Sequence, residues 1–196
     1  MRMPNRAIMG SMHMNLEEQP GGFTKLARFY SERAECGAGL IVTGGISPNR
    51  AGRLAPHGAT LMKSGQVAKH REVTEAVHAS GGRIALQILH GGRYSYHPFC
   101  VAPSKGKAPI SKFSPWVLSG RGVERTIRNY VRCALRAREA EYDGVEIMGS
   151  EGYLINQFLT RRTNHRTDQW GGPLANRDRK STRLNSSHAN ISYAVF

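Results

Sequence analysis

The chain has 196 residues, 39% of them hydrophobic, and carries 28 Lys and Arg against 14 Asp and Glu, a formal charge of +14. That length fits one domain. The absence of any apolar run of ~18 residues, and of a signal-peptide pattern, argues against a membrane span or secretion, so a cytoplasmic location is expected. Cys36, Cys100 and Cys133 are odd in number and widely spaced. They offer neither a disulfide framework nor metal-ligand spacing, so buried or inert thiols in a reducing compartment and no metal site are expected.

Short apolar runs alternate with helical periods along the chain, the pattern of repeated βα units on a parallel sheet. The first strand is expected at about Ala7 to Met12. A helix follows with Phe23, Leu26, Tyr30 and Ala34 on one face, stopped by Gly37. Leu40 to Thr43 reads as the second strand, closing in Gly44-Gly45. Ser64 is a candidate N-cap for a second helix with Val67, His70, Val73 and Val77 inward, ended by Gly81-Gly82. Ile84 to Leu89 is the third strand. From about Gly91 to Gly120 runs a long loop holding four of the nine prolines. The third helix is expected to turn Val123, Ile127, Val131, Ala134 and Leu135 inward. Val145 to Met148 is the fourth strand. There is no further repeat and no low-complexity linker.

Polar and glycine residues end all four strands, where an α/β barrel keeps its catalytic groups. Gln87, a lone amide near the end of an apolar strand, reads equally as a buried amide satisfied by backbone or as a ligand-binding group. Gly44-Gly45 would let backbone approach a flat ligand, or simply make a turn. Residues 144–177 read GVEIMGSEGYLINQFLTRRTNHRTDQWGGPLANR, a strand followed by a loop with Tyr153, several arginines and a Gly171-Gly172 turn. GGRIAL is not a dinucleotide-binding glycine loop, and neither an HExxH nor a Walker pattern occurs.

Residues 144–177 resemble the hallmark segment of the old yellow enzyme family of flavin-dependent reductases. Gly152, Tyr153, Leu154, Gln157, Phe158, Leu159, Asn164, Arg166, Asp168, Gly171 and Gly172 all match. Gln87-Ile88-Leu89-His90-Gly91-Gly92-Arg93 resembles the family's QLxHxGR motif. The resemblance implies an α/β fold, the first half of an FMN-binding (β/α)8 TIM barrel with about four βα units. A complete barrel of this kind needs roughly 250 residues. It also implies FMN contacts from Ser11, Met12, His13, Gly45 and Gln87, with Tyr153 as catalytic proton donor and Arg162 as a substrate contact.

Most of the family holds a substrate carbonyl with a pair of histidines, or with His and Asn, in H-x-x-(H/N)-G-Y. Here Met148 and Glu151 stand in those places. That departure, with NRAIMGSMH, LIVTGGISP and IALQILHGGRYSYHP, resembles the NADPH-linked 2,4-dienoyl-CoA reductase branch, which serves fatty acid β-oxidation. Relatives in this branch carry a four-cysteine 4Fe-4S site and an FAD/NADPH-binding part, and neither pattern is present here. Glu151 reads as a loop charge, and Arg161 and Arg166 as solvated surface. The alternatives are another NADH:flavin oxidoreductase acting on small enones or amines, or a basic nucleic-acid-binding or scaffold protein. The basic residues form no run and no nucleic-acid motif, so the expected partner is an anionic small molecule such as a dienoyl thioester, not nucleic acid or membrane.

Residues 178–196, DRKSTRLNSSHANISYAVF, keep no apolar period. They resemble a sequencing adapter translated in frame, with Ala189 and Asn190 as index residues. Residues 1–177 are therefore expected to form the half-barrel and 178–196 a disordered, non-native tail. The tail supplies +2 of the charge (Arg179, Lys180 and Arg183 against Asp178), leaving +12 on the rest. The half-barrel by itself is expected to be inactive.

Overall fold

Strand-forming runs separated by amphipathic helices become four parallel strands joined by three crossover helices. The computed structural model describes residues 3–184 and 192–195, with side chains from Met3 to Arg179. Its strands are β1 Ile8–Met9, β2 Leu40–Val42, β3 Ile84–Ile88, β4 Val101–Ala102, β5 Trp116–Val117, β6 Gly144–Ile147 and β7 Ser192–Val195. Its helices are α1 Gly22–Glu35, α2 Val67–Ala79, α3 Gly120–Glu139, α4 Leu154–Leu159 and α5 Leu174–Leu184. The main sheet runs β1-β2-β3-β6-β7, parallel from β1 to β6. α1, α2 and α3 make the three crossovers, so the architecture is an open run of βα units rather than a closed barrel.

Side-chain alternation divides the sheet into two faces. Ile41, Ile84, Leu86, Ile88 and Val145 pack in one core cluster with Phe23, Leu26 and Tyr30 of α1 and Val73 and Val77 of α2. The alternate set on β3, Ala85 and Gln87, lies beside Gly144 and Glu146 of β6. The helix ends follow from the sequence. Gly37 takes φ +92 just past α1, and Gly81 takes φ +74 just past α2, left-handed positions that favour glycine.

Two expectations are corrected and two are refined. Ser64 does not cap α2; it opens a 3₁₀ turn, and the Gln66 side chain accepts from the N–H groups of Met62 and Lys63 at 2.8 and 2.9 Å instead. The inward stripe of α3 is Val123, Thr126, Ile127, Tyr130, Cys133 and Ala137, whereas Val131 and Leu135 are half exposed. A strict i, i+4, i+8 ladder drifts round a helix of 3.6 residues per turn, and the true stripe alternates steps of three and four. The long loop after β3 is not structureless, because β4 and β5 pair within it as a two-stranded parallel ribbon. Of the thiols, Cys100 and Cys133 are buried but Cys36 is exposed. Burial pushes the Cys133 thiol up to about 12.

Part of the tail lies among the described residues. Residues 178–184 continue α5, and β7 pairs antiparallel with β6, Val145 opposite Ala194 and Glu146 opposite Tyr193. An unpaired row of N–H and C=O groups on β6 is a template for any extended segment within reach. Residues 185–191 and 196, including the index residues, lie outside the described residues.

Candidate active site

The C-terminal ends of β1, β2, β3 and β6 open on a cleft of about 390 Å³, a size suited to a small organic ligand. Ser11, His13, Gly45, Gln87, Glu146 and Tyr153 all line it. Met12 does not. It is 47% exposed, because in an extended segment alternate side chains point to opposite sides. Arg162 is exposed on the turn after α4 and is also not among the lining residues.

Gln87 is almost fully buried, yet its amide reaches no backbone partner. Nε2 donates to Glu146 Oε2 at 2.8 Å, across neighbouring strands in register. Its own N–H donates to Thr43 Oγ1 at 3.0 Å, tying β3 to β2. Gly45 is pinned just beside it: a Cβ there would lie 2.8 Å from Leu89 Cδ1 and 3.1 Å from Gln87 Oε1. The glycine is thus required by close approach within the protein itself. Gly44 donates its N–H to the Tyr30 hydroxyl at 3.2 Å from behind, and burial raises that phenol to about 12.

Tyr153 is half-buried at the N-terminus of α4, its ring edge-on to Tyr94 at 6.3 Å between centroids. Burial raises its pKa, helped by the charge of Glu151 and by Tyr94, so the phenol keeps its proton at neutral pH. The turn that delivers it is left-handed at two successive residues, Glu151 with φ 57 and Gly152 with φ 76. Buried Gln157 braces this turn. Its Nε2 donates to the carbonyls of Gly152 at 2.7 Å and Gly91 at 3.3 Å, and its Oε1 accepts from Arg93 N at 3.1 Å.

Beyond α4 the hallmark residues are structural. Asn164 Nδ2 donates to the carbonyls of Phe158 and Trp170 at 2.7 and 2.8 Å. Arg166 is not solvated surface: its side chain is only 9% exposed. Its Nε donates to Asp168 Oδ1 at 2.9 Å and Nη1 to the Pro103 carbonyl at 3.1 Å, while Leu118 accepts too. That guanidinium holds the Asp168 carboxyl below the usual carboxylate range.

Sequence reasoning singled out neither Glu146 nor Tyr94, and it gave Gln157 no role beyond its motif. Glu146 could have been found from its alternation with Ile147 on a strand aligned to β3. Nothing local to Tyr94 marks its approach to Tyr153. Among the described residues no helix is long and apolar enough to cross a membrane.

Comparison with known proteins gives a consistent picture. The family model described as NADH:flavin oxidoreductase / NADH oxidase matches residues 1–182. A metal reductase of Desulforamulus reducens is 36% identical over 179 residues, covering 89% of this chain and 26% of that protein. An NADPH dehydrogenase of Halalkalibacterium halodurans is 34% identical over 182 residues, covering 90% of this chain and 53% of that protein. Among solved structures, morphinone reductase superposes with a TM-score of 0.84 at 33% identity, covering 93% of this chain and 54% of its own. The chain thus spans about half the length of the NADPH dehydrogenase and morphinone reductase it matches, and its fold is the N-terminal half of a TIM barrel.

Proposed function

The chain belongs to the NADH:flavin oxidoreductase / NADH oxidase family, and from that premise we propose that it forms the N-terminal half of a cytoplasmic, NADPH-driven FMN enzyme that reduces 2,4-dienoyl-CoA thioesters. The observation that carries the reading is the placement of Tyr153 and Gln87 on one cleft at the strand ends. An isoalloxazine offers alternating donors and acceptors on its pyrimidine edge, and the Gln87 amide offers the complement. Ser11, His13 and Gly45 stand beside it to hold the ring, with the Met12 backbone close behind at Gly44. When bound, FMN supplies the hydride.

Tyr153 keeps its proton in the resting site and delivers it from Oη to the substrate carbon where negative charge gathers, a step typically worth ~10²–10⁴-fold. Met148 and Glu151 leave the cleft without the pair of carbonyl-binding side chains usual in enone reductases, which favours a thioester over a small enone. Arg162, exposed on the turn after α4 and outside the cleft lining, is the residue we propose to meet the anionic end of such a substrate. The same branch implies FAD, a 4Fe-4S cluster and an NADPH site outside this half-barrel, and we infer that the half-barrel alone is inactive.

The test is transient kinetics on a complete barrel containing this sequence. Tyr153→Phe leaves flavin reduction by NADPH intact and slows flavin reoxidation by a dienoyl-CoA by on the order of 10²-fold or more. Parental reoxidation by dienoyl-CoA in that variant would remove Tyr153 from the mechanism. Faster parental turnover with cyclohexenone than with dienoyl-CoA would move the enzyme to the small-enone reductases, the reading favoured by the likeness to morphinone reductase.

A further inference from the structure

Glu146 and Gln87 face each other across β6 and β3, 59 residues apart, and their pairing decides how the cleft presents hydrogen-bonding groups. A glutamine amide is nearly symmetric in shape, and its terminal torsion is broadly two-fold, so an unrestrained amide shows a ligand either polarity. A carboxylate removes that freedom because it only accepts. With Nε2 donating to Glu146 Oε2 at 2.8 Å, the opposite rotamer would set the amide oxygen against a negative oxygen. A charge-assisted hydrogen bond in a partly buried setting biases the two rotamers by on the order of tenfold or more. The rest of Gln87 is equally constrained. Its backbone N–H is held by Thr43, and a Cβ added at Gly45 would lie 3.1 Å from Oε1.

We propose that Glu146 is a positioning residue that locks the Gln87 amide so that Oε1 and the second Nε2 proton remain for the ligand. The cleft then selects a ring whose edge offers an N–H flanked by a carbonyl, an imide, over one whose nitrogen is alkylated. This rests on the flavin reading above and adds to it the group that sets the polarity of recognition. Glu146 need not touch the ligand to do so.

The proposal is tested on a flavin-free complete barrel containing this sequence, with lumiflavin, which carries the ring without a phosphate, and with N3-methyl-lumiflavin, which lacks the imide N–H. Fluorescence titrations of the wild-type barrel should favour lumiflavin by on the order of tenfold. Glu146→Gln should narrow that preference to about twofold, since an amide opposite Gln87 can pair with either rotamer. Circular dichroism should show the same helix content and melting in both proteins. Retention of the full preference in Glu146→Gln overturns the positioning role while leaving the flavin reading intact. Failure of the complete wild-type barrel to bind either ring overturns the flavin reading.

A ligand-free measurement decides the positioning role separately. In wild type, one Nε2 proton of Gln87 should exchange with solvent at least tenfold more slowly than the other by nuclear magnetic resonance, and Glu146→Ala should abolish the difference. Two fast, equal exchange rates in wild type overturn the proposal whatever the rings do.

Discussion

The side-chain amide of Gln157 donates to the carbonyl of Gly152 at 2.7 Å, five residues back along the chain and directly before Tyr153. The same amide accepts from Arg93, so one buried side chain clamps the turn that presents Tyr153 onto the segment following β3. Glycine at 92 is part of the clamp, since a Cβ there would lie 2.3 Å from Gln157 Oε1. Gln157→Leu keeps the bulk but strands the Arg93 N–H and the Gly152 carbonyl, while the Gly91 carbonyl keeps the Tyr94 N–H. It should lower unfolding free energy by about 1–3 kcal/mol, read from the urea midpoint at unchanged slope. An unaltered midpoint would show that the turn holds its shape without the clamp.

Burial holds His70 neutral, its pKa lowered to about 3, with the nearby Lys69 acting in the same direction. Nδ1 meets the Tyr142 hydroxyl at 3.0 Å and Phe23 packs edge-on at 4.7 Å. The folded pKa lies below the unfolded value of ~6.5, so between the two the unfolded chain binds more protons. This contribution to stability is therefore complete above about pH 6.5 and is lost as pH falls toward 3. The slope approaches about 1.4 kcal/mol per pH unit in the middle of that window. Denaturation of wild type and His70→Gln at pH 7 and pH 5 should show a smaller acid loss in the variant. Equal losses would mean that other groups carry the acid limb.

Gly171 sits against the backbone of Arg166, where a Cβ would lie 2.1 Å from the carbonyl oxygen. No side-chain rotation can relieve a clash with backbone. Gly171→Ala should destabilise by about 1–3 kcal/mol by overpacking and loosen the Arg166–Asp168 loop. Gly65→Ala is the control, with nothing within 4 Å of the new methyl. It should be neutral or slightly stabilising in thermal melts. Indistinguishable melting of the two variants would refute the packing argument.

β7 covers the outer edge of β6, whereas the opposite edge of the sheet is the two-residue β1. Short edges recruit partners poorly and longer bare ones recruit them well. A chain ending at Leu184 should therefore self-associate at concentrations where the 196-residue chain sediments as a smaller species. Identical sedimentation profiles for the two would show that β7 does not protect the edge.

Much of the layout was legible because local signals agreed with one another. The α1 stripe of Phe23, Leu26, Tyr30 and Ala34 and its glycine stop coincide with the observed helix and its buried face. The strand ends that converge on the cleft were legible for the same reason. What escaped depended on long-range register or on non-periodic structure. Glu146 becomes a partner of Gln87 only when β3 and β6 align, which no window of either strand reveals. Arg166 looks like surface by composition, but its partners at Pro103 and Leu118 lie in another loop. The α3 stripe was misassigned because a run of i+4 steps mimics a helical face while drifting off it. Nothing in the tail's composition announces a strand; β6 supplies the template.

The left-handed backbone at Glu151 has an evolutionary consequence. Asn, Asp and His enter that conformation several-fold more readily than other residues, and β-branched side chains scarcely enter it. His and Asn are also the residues that stand at this place in most of the old yellow enzymes the segment resembles. The loop's shape therefore filters which chemistries can be exchanged beside Tyr153. A lineage carrying glutamate here can move to a carbonyl-binding asparagine while relieving backbone strain, whereas a change to valine, isoleucine or threonine meets a barrier before substrate is ever involved.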